Sequence, residues 1–420
     1  VSSILCFLSG EKLFRKVGLS ITVGILSGSA AAVFLIALEW ATQTRNNNTF
    51  IIWGLPLAGL AIGLIYHHFG HEAGRGNNLI IDEIHNPKKI LPIPMAPLVL
   101  GGTLLTHLFG GSAGREGTAV QMGASLSDQI ARFFKIEMKD RQILLMAGAG
   151  AGFGAAIGTP FAGAVFGMEV IQIGKFKWSA WVECLVASFV GYSTSILLQA
   201  PHSQFPKIAI DSFHAHVLLW VVIAGIVFGL AARVFSSVTH GIEKLNSRFI
   251  KYPPLRPFIA GLILVVLYYI EGSYRYVGLG IPIINETFQP QEHLETTLKD
   301  PAFKTLFTAI TVGSGFKGGE FVPLVFIGST LGSALALILP VSLKILVAVG
   351  FAAVFAGAAN APIACSLMAI EIFGMDIAPY AVVGCFMSYF FSGYKGIYTS
   401  QIVHTKKHNR LLSLFKKSNT

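Results

Sequence analysis

Two carboxylates sit inside glycine-rich turns: Glu116 in Gly114-Arg115-Glu116-Gly117-Thr118, and Glu320 in Gly318-Gly319-Glu320-Phe321-Val322-Pro323. A glycine-rich turn that enters a helix leaves the first amide N–H groups free, and the helix dipole adds partial positive charge there. A small anion can exchange its water shell for those donors. Glu116 stands where such an anion would bind, so its carboxylate competes with it, and protonation would remove the competing charge. Proton and anion movement then depend on each other at one residue. The plainer reading of Glu116 is a helix-capping carboxylate. Glu320 is either a proton carrier or a helix-start carboxylate, and its place in the second turn, opposite Glu116, favours the former.

Other reactive arrangements are incomplete. His71-Glu72-Ala73-Gly74-Arg75 opens like a zinc-protease helix but lacks the second histidine four residues on, and His67 and His202 lack cysteine or carboxylate partners at ligand spacing. Cys6, Cys184, Cys365 and Cys385 are far apart, form no CxxC pair and read as packing residues. With no HExxH, no Gly-x-Ser-x-Gly elbow and no paired intramembrane aspartates, an embedded hydrolase is left without support. Neither enzyme activity, a metal nor a cofactor is expected.

The elements that hold these turns must live in lipid. Of 420 residues, 53% are hydrophobic, 12% are charged and 45 are glycine, with a mean hydropathy of +0.65; soluble domains carry about a quarter charged residues. An all-α polytopic membrane protein follows, because a chain in a bilayer must pair its own backbone groups. The net charge of +10 does not point to nucleic acid, since the basic residues flank apolar runs instead of forming one stripe. Lys12, Arg15 and Lys16 precede the first run, and Lys406, Lys407, Arg410, Lys416 and Lys417 follow the last. Positive-inside bias therefore places both termini in the cytoplasm, with an even number of full crossings. No cleavable signal is expected, so the first run stays as a membrane helix.

Apolar segments fall near 17–41, 51–68, 95–110, 141–157, 160–173, 178–199, 214–238, 256–271, 303–313, 322–340, 343–358, 361–374 and 377–392. Their uneven lengths and glycine-rich breaks predict discontinuous helices that meet near the bilayer centre. The two glutamate turns lead into Gly123-Ala124-Ser125-Leu126 and Gly328-Ser329-Thr330-Leu331, an offset of 205 (123 to 328). Thr159-Pro160-Phe161-Ala162 precedes Glu169, and Ala361-Pro362-Ile363-Ala364 precedes Glu371, with a proline-to-glutamate spacing of nine in both (160 to 169, 362 to 371). One unit of about half the chain is therefore duplicated, with a boundary around Pro201–Asp211. Glu169 and Glu371 read as residues that cap or pair inside the bundle. Gly148, Gly150, Gly152 and Gly154 read as close helix packing, and most of the 32 phenylalanines as lipid-facing or packing rings.

On these motifs the chain resembles the CLC family of chloride channels and anion/proton antiporters over nearly its whole length. Gly114-Arg115-Glu116-Gly117 looks like the family's Gly-Arg/Lys-Glu-Gly-Pro signature, and Gly319-Glu320-Phe321-Val322-Pro323 like its Gly-x-Phe-x-Pro signature. Gly74-Arg75-Gly76-Asn77-Asn78 falls where Gly-Ser-Gly-Ile-Pro is expected, and Tyr398 in Lys395-Gly396-Ile397-Tyr398 matches the tyrosine that faces the central anion. The resemblance implies a CLC-type fold of two inverted-topology repeats with broken helices: residues 1–205, residues 206–405, and a basic cytoplasmic tail over 406–420. It also implies a homodimer with one pathway per subunit, Glu116 as external gate, Glu320 as a second proton-coupling residue, and an anion path past Gly114, Arg115, Gly117, Thr118, Phe321, Val322, Tyr398 and Arg75.

The departures from the family pattern narrow the expectation. Thr118 replaces the signature proline, Val170 stands where proton-coupled chloride transporters usually carry an internal glutamate, and Glu320 adds a carboxylate. Thr118 with Glu320 is similar to the subgroup that exports fluoride in exchange for protons, typically in bacteria; Val322 stands where that subgroup often carries threonine. Strongly hydrated fluoride needs compact donors, which a threonine hydroxyl beside helix amides supplies and proline does not; the alternative for Thr118 is a local backbone cap. Arg75 either attracts anions into the inner vestibule or pairs with Asp82 or Glu83. The expected function is a proton-coupled antiporter exporting fluoride (or chloride) across a bacterial plasma membrane, gated by Glu116. The alternative is a passive chloride channel of the voltage-gated type on the same fold, if the loss of the glutamate at Val170 abolishes coupling. Only residues 399–420 follow Tyr398, so no nucleotide-binding regulatory pair is expected.

Overall fold

The computed structural model describes residues 10–210, 214–289 and 299–407. Cys6, Asp211, Arg410, Lys416, Lys417, the side chain of Lys12 and all but the first two residues of the expected 406–420 tail lie outside the described residues. The first half contains α1 (Gly10–Asn47), α2 (Leu55–Ile65), α3 (Asn77–His85), α4 (Met95–Leu108), α5 (Glu116–Phe133), α6 (Met138–Ile157), α7 (Pro160–Glu169) and α8 (Trp181–Leu197). The second contains α9 (Ala215–Phe249), α10 (Leu255–Glu271), α11 (Ile281–Glu286), α12 (Lys299–Gly313), α13 (Phe321–Leu335), α14 (Leu343–Ala359), α15 (Pro362–Phe373) and α16 (Ala378–Phe391). Among the described residues, four helical stretches are long and apolar enough to cross a membrane: Phe14–Asn47, Thr49–Arg75, Trp178–Leu197 and Ala215–Phe249. Several shorter apolar helices, including α4, α13, α14 and α15, break off before a full span, as the uneven runs predict.

The halves repeat each other in detail. In the first, α6 ends at Gly158 in the left-handed region, φ 90°, and Pro160 starts α7 at its first turn, where the missing N–H costs nothing. In the second, α14 ends at Asn360, φ 56°, and Pro362 starts α15 in the same way. Each proline-initiated helix is capped by a glutamate from the last turn of the other. Glu169 accepts from the N–H groups of Ile363 (3.0 Å) and Ala364 (2.8 Å), and Glu371 from those of Phe161 (3.0 Å) and Ala162 (2.8 Å). A carboxylate at a helix N-terminus gains charge-assisted bonds and a favourable dipole. Both glutamates are therefore caps, one of the two roles the sequence left to them.

Glycines hold the helices against one another. A Cβ on Gly123 of α5 would strike the Gly148 carbonyl of α6, and one on Gly328 of α13 would strike the Gly350 carbonyl of α14. Such close backbone approach replaces the hydrophobic drive that lipid does not provide, and the packing reading of the 148–154 glycines stands. A buried ion cluster fixes α3. The Arg141 Nε donates to Asp128 (2.5 Å), its Nη1 and Nη2 donate to Glu83 (3.3 Å each), and Asp128 also accepts from the Leu91 N–H (2.6 Å). Charges buried this deeply persist because each finds several partners. After α16 the chain turns back, and Ile402–Val403 pairs in parallel with Gln172–Ile173. That two-residue ladder anchors the loop carrying Tyr398. Cys184, Cys365 and Cys385 are buried free thiols.

Candidate functional site

The two glycine turns are bonded to each other. The Gly114 N–H donates to the Gly319 carbonyl (2.6 Å) and the Gly319 N–H to the Gly114 carbonyl (2.8 Å), an isolated antiparallel bridge that joins the starts of α5 and α13. Glycine is required here: a Cβ on Gly114 would lie 2.9 Å from the Gly319 oxygen, and one on Gly319 would lie 2.8 Å from the Gly117 nitrogen. The bridge is antiparallel, so the two turns are matched by their helix starts: Arg115 and Glu320 are the N-caps of α5 and α13, and Glu116 and Phe321 are the first residues of those helices. Contrary to expectation, Glu320 is therefore not the counterpart of Glu116. The one-residue shift puts Glu116 on the first turn of α5 and Glu320 at the N-cap of α13.

Glu116 is 2% exposed. Its Oε2 accepts from the Arg115 N–H (3.2 Å) and its Oε1 from the Arg115 Nε (3.3 Å), while the Arg115 Nη2 donates to the Ser203 hydroxyl (3.0 Å). On this side Arg115, Glu116, Ser203, Phe321, Val322 and Phe351 line a cleft of about 10 Å³, at or below the roughly 10–15 Å³ that one water needs. Phe321 and Val322 are buried, with the Phe321 ring edge-on to Phe355 at 4.7 Å between centroids. The path at Glu116 is closed.

The other side is open. A cavity of about 680 Å³ reaches inward to Glu320 and Tyr398. Arg75, Arg256 and Lys317 bring positive charge to its wall against Glu243 and Glu320, and cationic walls around water concentrate anions. Arg75 lines the cavity, and its guanidinium is paired with Asp82 of α3. Glu320 opens to this cavity, unlike Glu116. Tyr398 is 8% exposed and sits where the cavity ends. Val170 lies beyond it, in an apolar pocket of about 20 Å³ shared with Asn77 and Tyr398.

The Thr118 hydroxyl is fully buried and lies 2.7 Å from the Thr103 hydroxyl of α4, an interhelical bond in which either oxygen can be the donor. The backbone N–H of Thr118 is bonded to the Arg115 carbonyl (3.1 Å).

Two residues emerge that the motifs did not single out. Asn77 opens α3 after Gly76, whose φ of 57° favours glycine. Its Oδ1 is buried without a partner, and its Nδ2 lies 3.4 Å from the Cβ position of Gly117. A buried amide with an unspent polar atom is a ligand candidate; the signal available was an amide at a helix start after glycine. Asn78, next to it, accepts from the Ser400 N–H (3.1 Å) and ties the Tyr398 loop to α3. The second residue is His107, fully buried, whose Nε2 is 3.3 Å from the Gly114 carbonyl. It braces the turn that carries Glu116, and a histidine within an apolar run gave no sign of that contact.

The family model for the voltage gated chloride channel matches residues 58–393. The chain is 46% identical to a chloride/fluoride channel protein of Pseudomonas syringae pv. tomato over 396 residues, covering 93% of this chain and 87% of that one. It is 26% identical to an H(+)/Cl(-) exchange transporter, ClcA, of Vibrio vulnificus over 94% of this chain and 90% of the relative. Among solved structures, that of a CLC-type fluoride/proton antiporter superposes with a TM-score of 0.89 at 32% identity, covering 94% of this chain and 99% of the other. A slow cyanobacterial Cl-/H+ antiporter superposes at 0.81 with 22% identity, a likeness of fold.

Proposed function

The chain belongs to the voltage gated chloride channel family, with the CLC fold, and we propose that it is a proton-coupled antiporter that exports fluoride, gated by Glu116. The observation that carries this reading is the asymmetry across the Gly114–Gly319 bridge. A carboxylate seals one side, and a cation-lined cavity reaches a tyrosine and a second carboxylate on the other. An anion entering the cavity is drawn by Arg75, Arg256 and Lys317 and loses part of its water to Asn77, Tyr398 and the amides at the starts of α5 and α13. It cannot pass while ionised Glu116 holds the Arg115 donors at the start of α5. Protonation of Glu116 cancels that charge, weakens its bonds to Arg115, and lets the side chain leave the path. Glu320 carries the proton on the cavity side.

Fluoride as the cargo is supported by the names of the Pseudomonas relative and of the antiporter structure. The Thr118 hydroxyl bonds Thr103 of α4, and where Thr103 is the donor the Thr118 O–H is left to donate. The rival reading, a passive channel, is favoured by one observation: an apolar side chain, Val170, is buried in an apolar pocket there. We further assign residues 1–205 and 206–405 to the two inverted halves and 406–420 to a basic tail. We place both termini in the cytoplasm of a bacterial plasma membrane and the pathway in each subunit of a homodimer. The reciprocal caps between α7 and α15 support the halves; the basic flanks support the orientation.

The test is efflux from proteoliposomes holding purified protein, read with fluoride- and chloride-selective electrodes. Fluoride efflux exceeding chloride efflux is the expected result, and equal or greater chloride flux would overturn the cargo.

A further inference from the structure

The antiporter reading leaves open how protons reach Glu320, since the route through position 170 ends at a valine. We propose that His240 and Glu243 of α9 form the proton-relay pair of the cavity wall, handing protons between cavity water and Glu320. This inference rests on the antiporter reading and names residues that neither the glycine turns nor the family motifs contain.

Both side chains line the cavity that ends at Glu320 and Tyr398. One helical turn apart, they face each other, with His240 Nδ1 3.6 Å from a Glu243 oxygen. The other ring nitrogen, Nε2, lies 2.9 Å from the Gly396 carbonyl, two residues before Tyr398. A carbonyl can only accept, so Nε2 carries a proton and Nδ1 presents its lone pair to Glu243. A proton taken up at Nδ1, from the Glu243 carboxyl or from cavity water, gives an imidazolium held at both ends. Its loss through water to the Glu320 carboxylate restores the neutral ring. The charged groups that act on the pair are Glu320 and Lys317 before α13, Arg256 of α10 and Lys244 beside it. An ion pair serving the fold alone would have no need to open on the cavity or to touch the loop of the pathway tyrosine.

The experiment is proton uptake and fluoride efflux recorded together from proteoliposomes. Wild-type protein is measured first, since absence of coupled exchange there would defeat the antiporter reading and not this one. Given coupling, His240→Ala should slow both fluxes together by at least about tenfold, the scale of a lost positioned proton carrier, and added imidazole should restore them. Glu243→Gln should shift the pH profile of uptake. A His240→Ala protein with the wild-type rate and pH profile would overturn the proposal, as would a slowed flux that imidazole leaves unrestored.

Discussion

The turn before α5 and the turn before α13 are bonded to each other through the same pair of glycines, yet their surroundings differ. Glu116 is enclosed by Arg115, Ser203, Phe321 and Phe351 in a cleft of about 10 Å³, while Glu320 opens to a cavity of about 680 Å³. Duplication supplied two like scaffolds, and the one-residue shift between the carboxylates placed one in a seal and the other in a vestibule. A gate needs a group that must lose its charge to move. A relay needs a group that water can reach. We propose that the two turns divide these tasks between them.

Substitution at the seal should have the largest effect. Glu116→Gln mimics the protonated gate, so proton uptake should fall to background while anion flux loses its pH dependence, both read in proteoliposomes. Unchanged pH-dependent exchange would end the division of roles. Glu320→Gln should come next: the seal stays intact, so coupled exchange should slow by about tenfold or more with the Glu116 gate still closed to passive leak. Intact coupling would return Glu320 to a helix-start carboxylate.

The duplicated frame was legible in the sequence because its signals are local. Proline at a helix start, a glutamate nine residues on and a glycine turn before each repeat depend on the backbone alone, and the reciprocal caps of Glu169 and Glu371 realise them. What could not be read was which polar atom faces which neighbour. Thr118 occupies the motif position of a ligand, yet its hydroxyl turns to Thr103, a residue on α4 that no spacing rule connects to it. Asn77 and His107 were passed over for the opposite reason, because their contacts with the gate turn come from α3 and α4 packing across the bridge. Hydropathy also favours helices that meet lipid. α5, which carries Glu116, holds Gln121, Ser125, Ser127 and Asp128 and is nevertheless almost wholly buried in protein.

Smaller effects sharpen the contrast. Glu169→Gln and Glu371→Gln should each lower stability by about 1–2 kcal/mol through loss of a charged cap, measured as a fall in melting temperature in detergent, with coupling retained. A loss of coupling in either would bring these caps into the transport path. Thr118→Val should be the mildest, about 1 kcal/mol for one interhelical hydrogen bond, with fluoride preference unchanged in electrode assays. Reversal of the anion preference would put Thr118 in the site.

The central claim is that anion and proton share the closed turn at Glu116. Its most direct test is an outward fluoride gradient imposed on wild-type proteoliposomes with no pH difference at the start, while the internal pH is followed. The account predicts that fluoride leaving drives protons inward against the gradient they build, until the two gradients balance. Fluoride leaving with no proton movement would contradict it and leave a channel on the same scaffold.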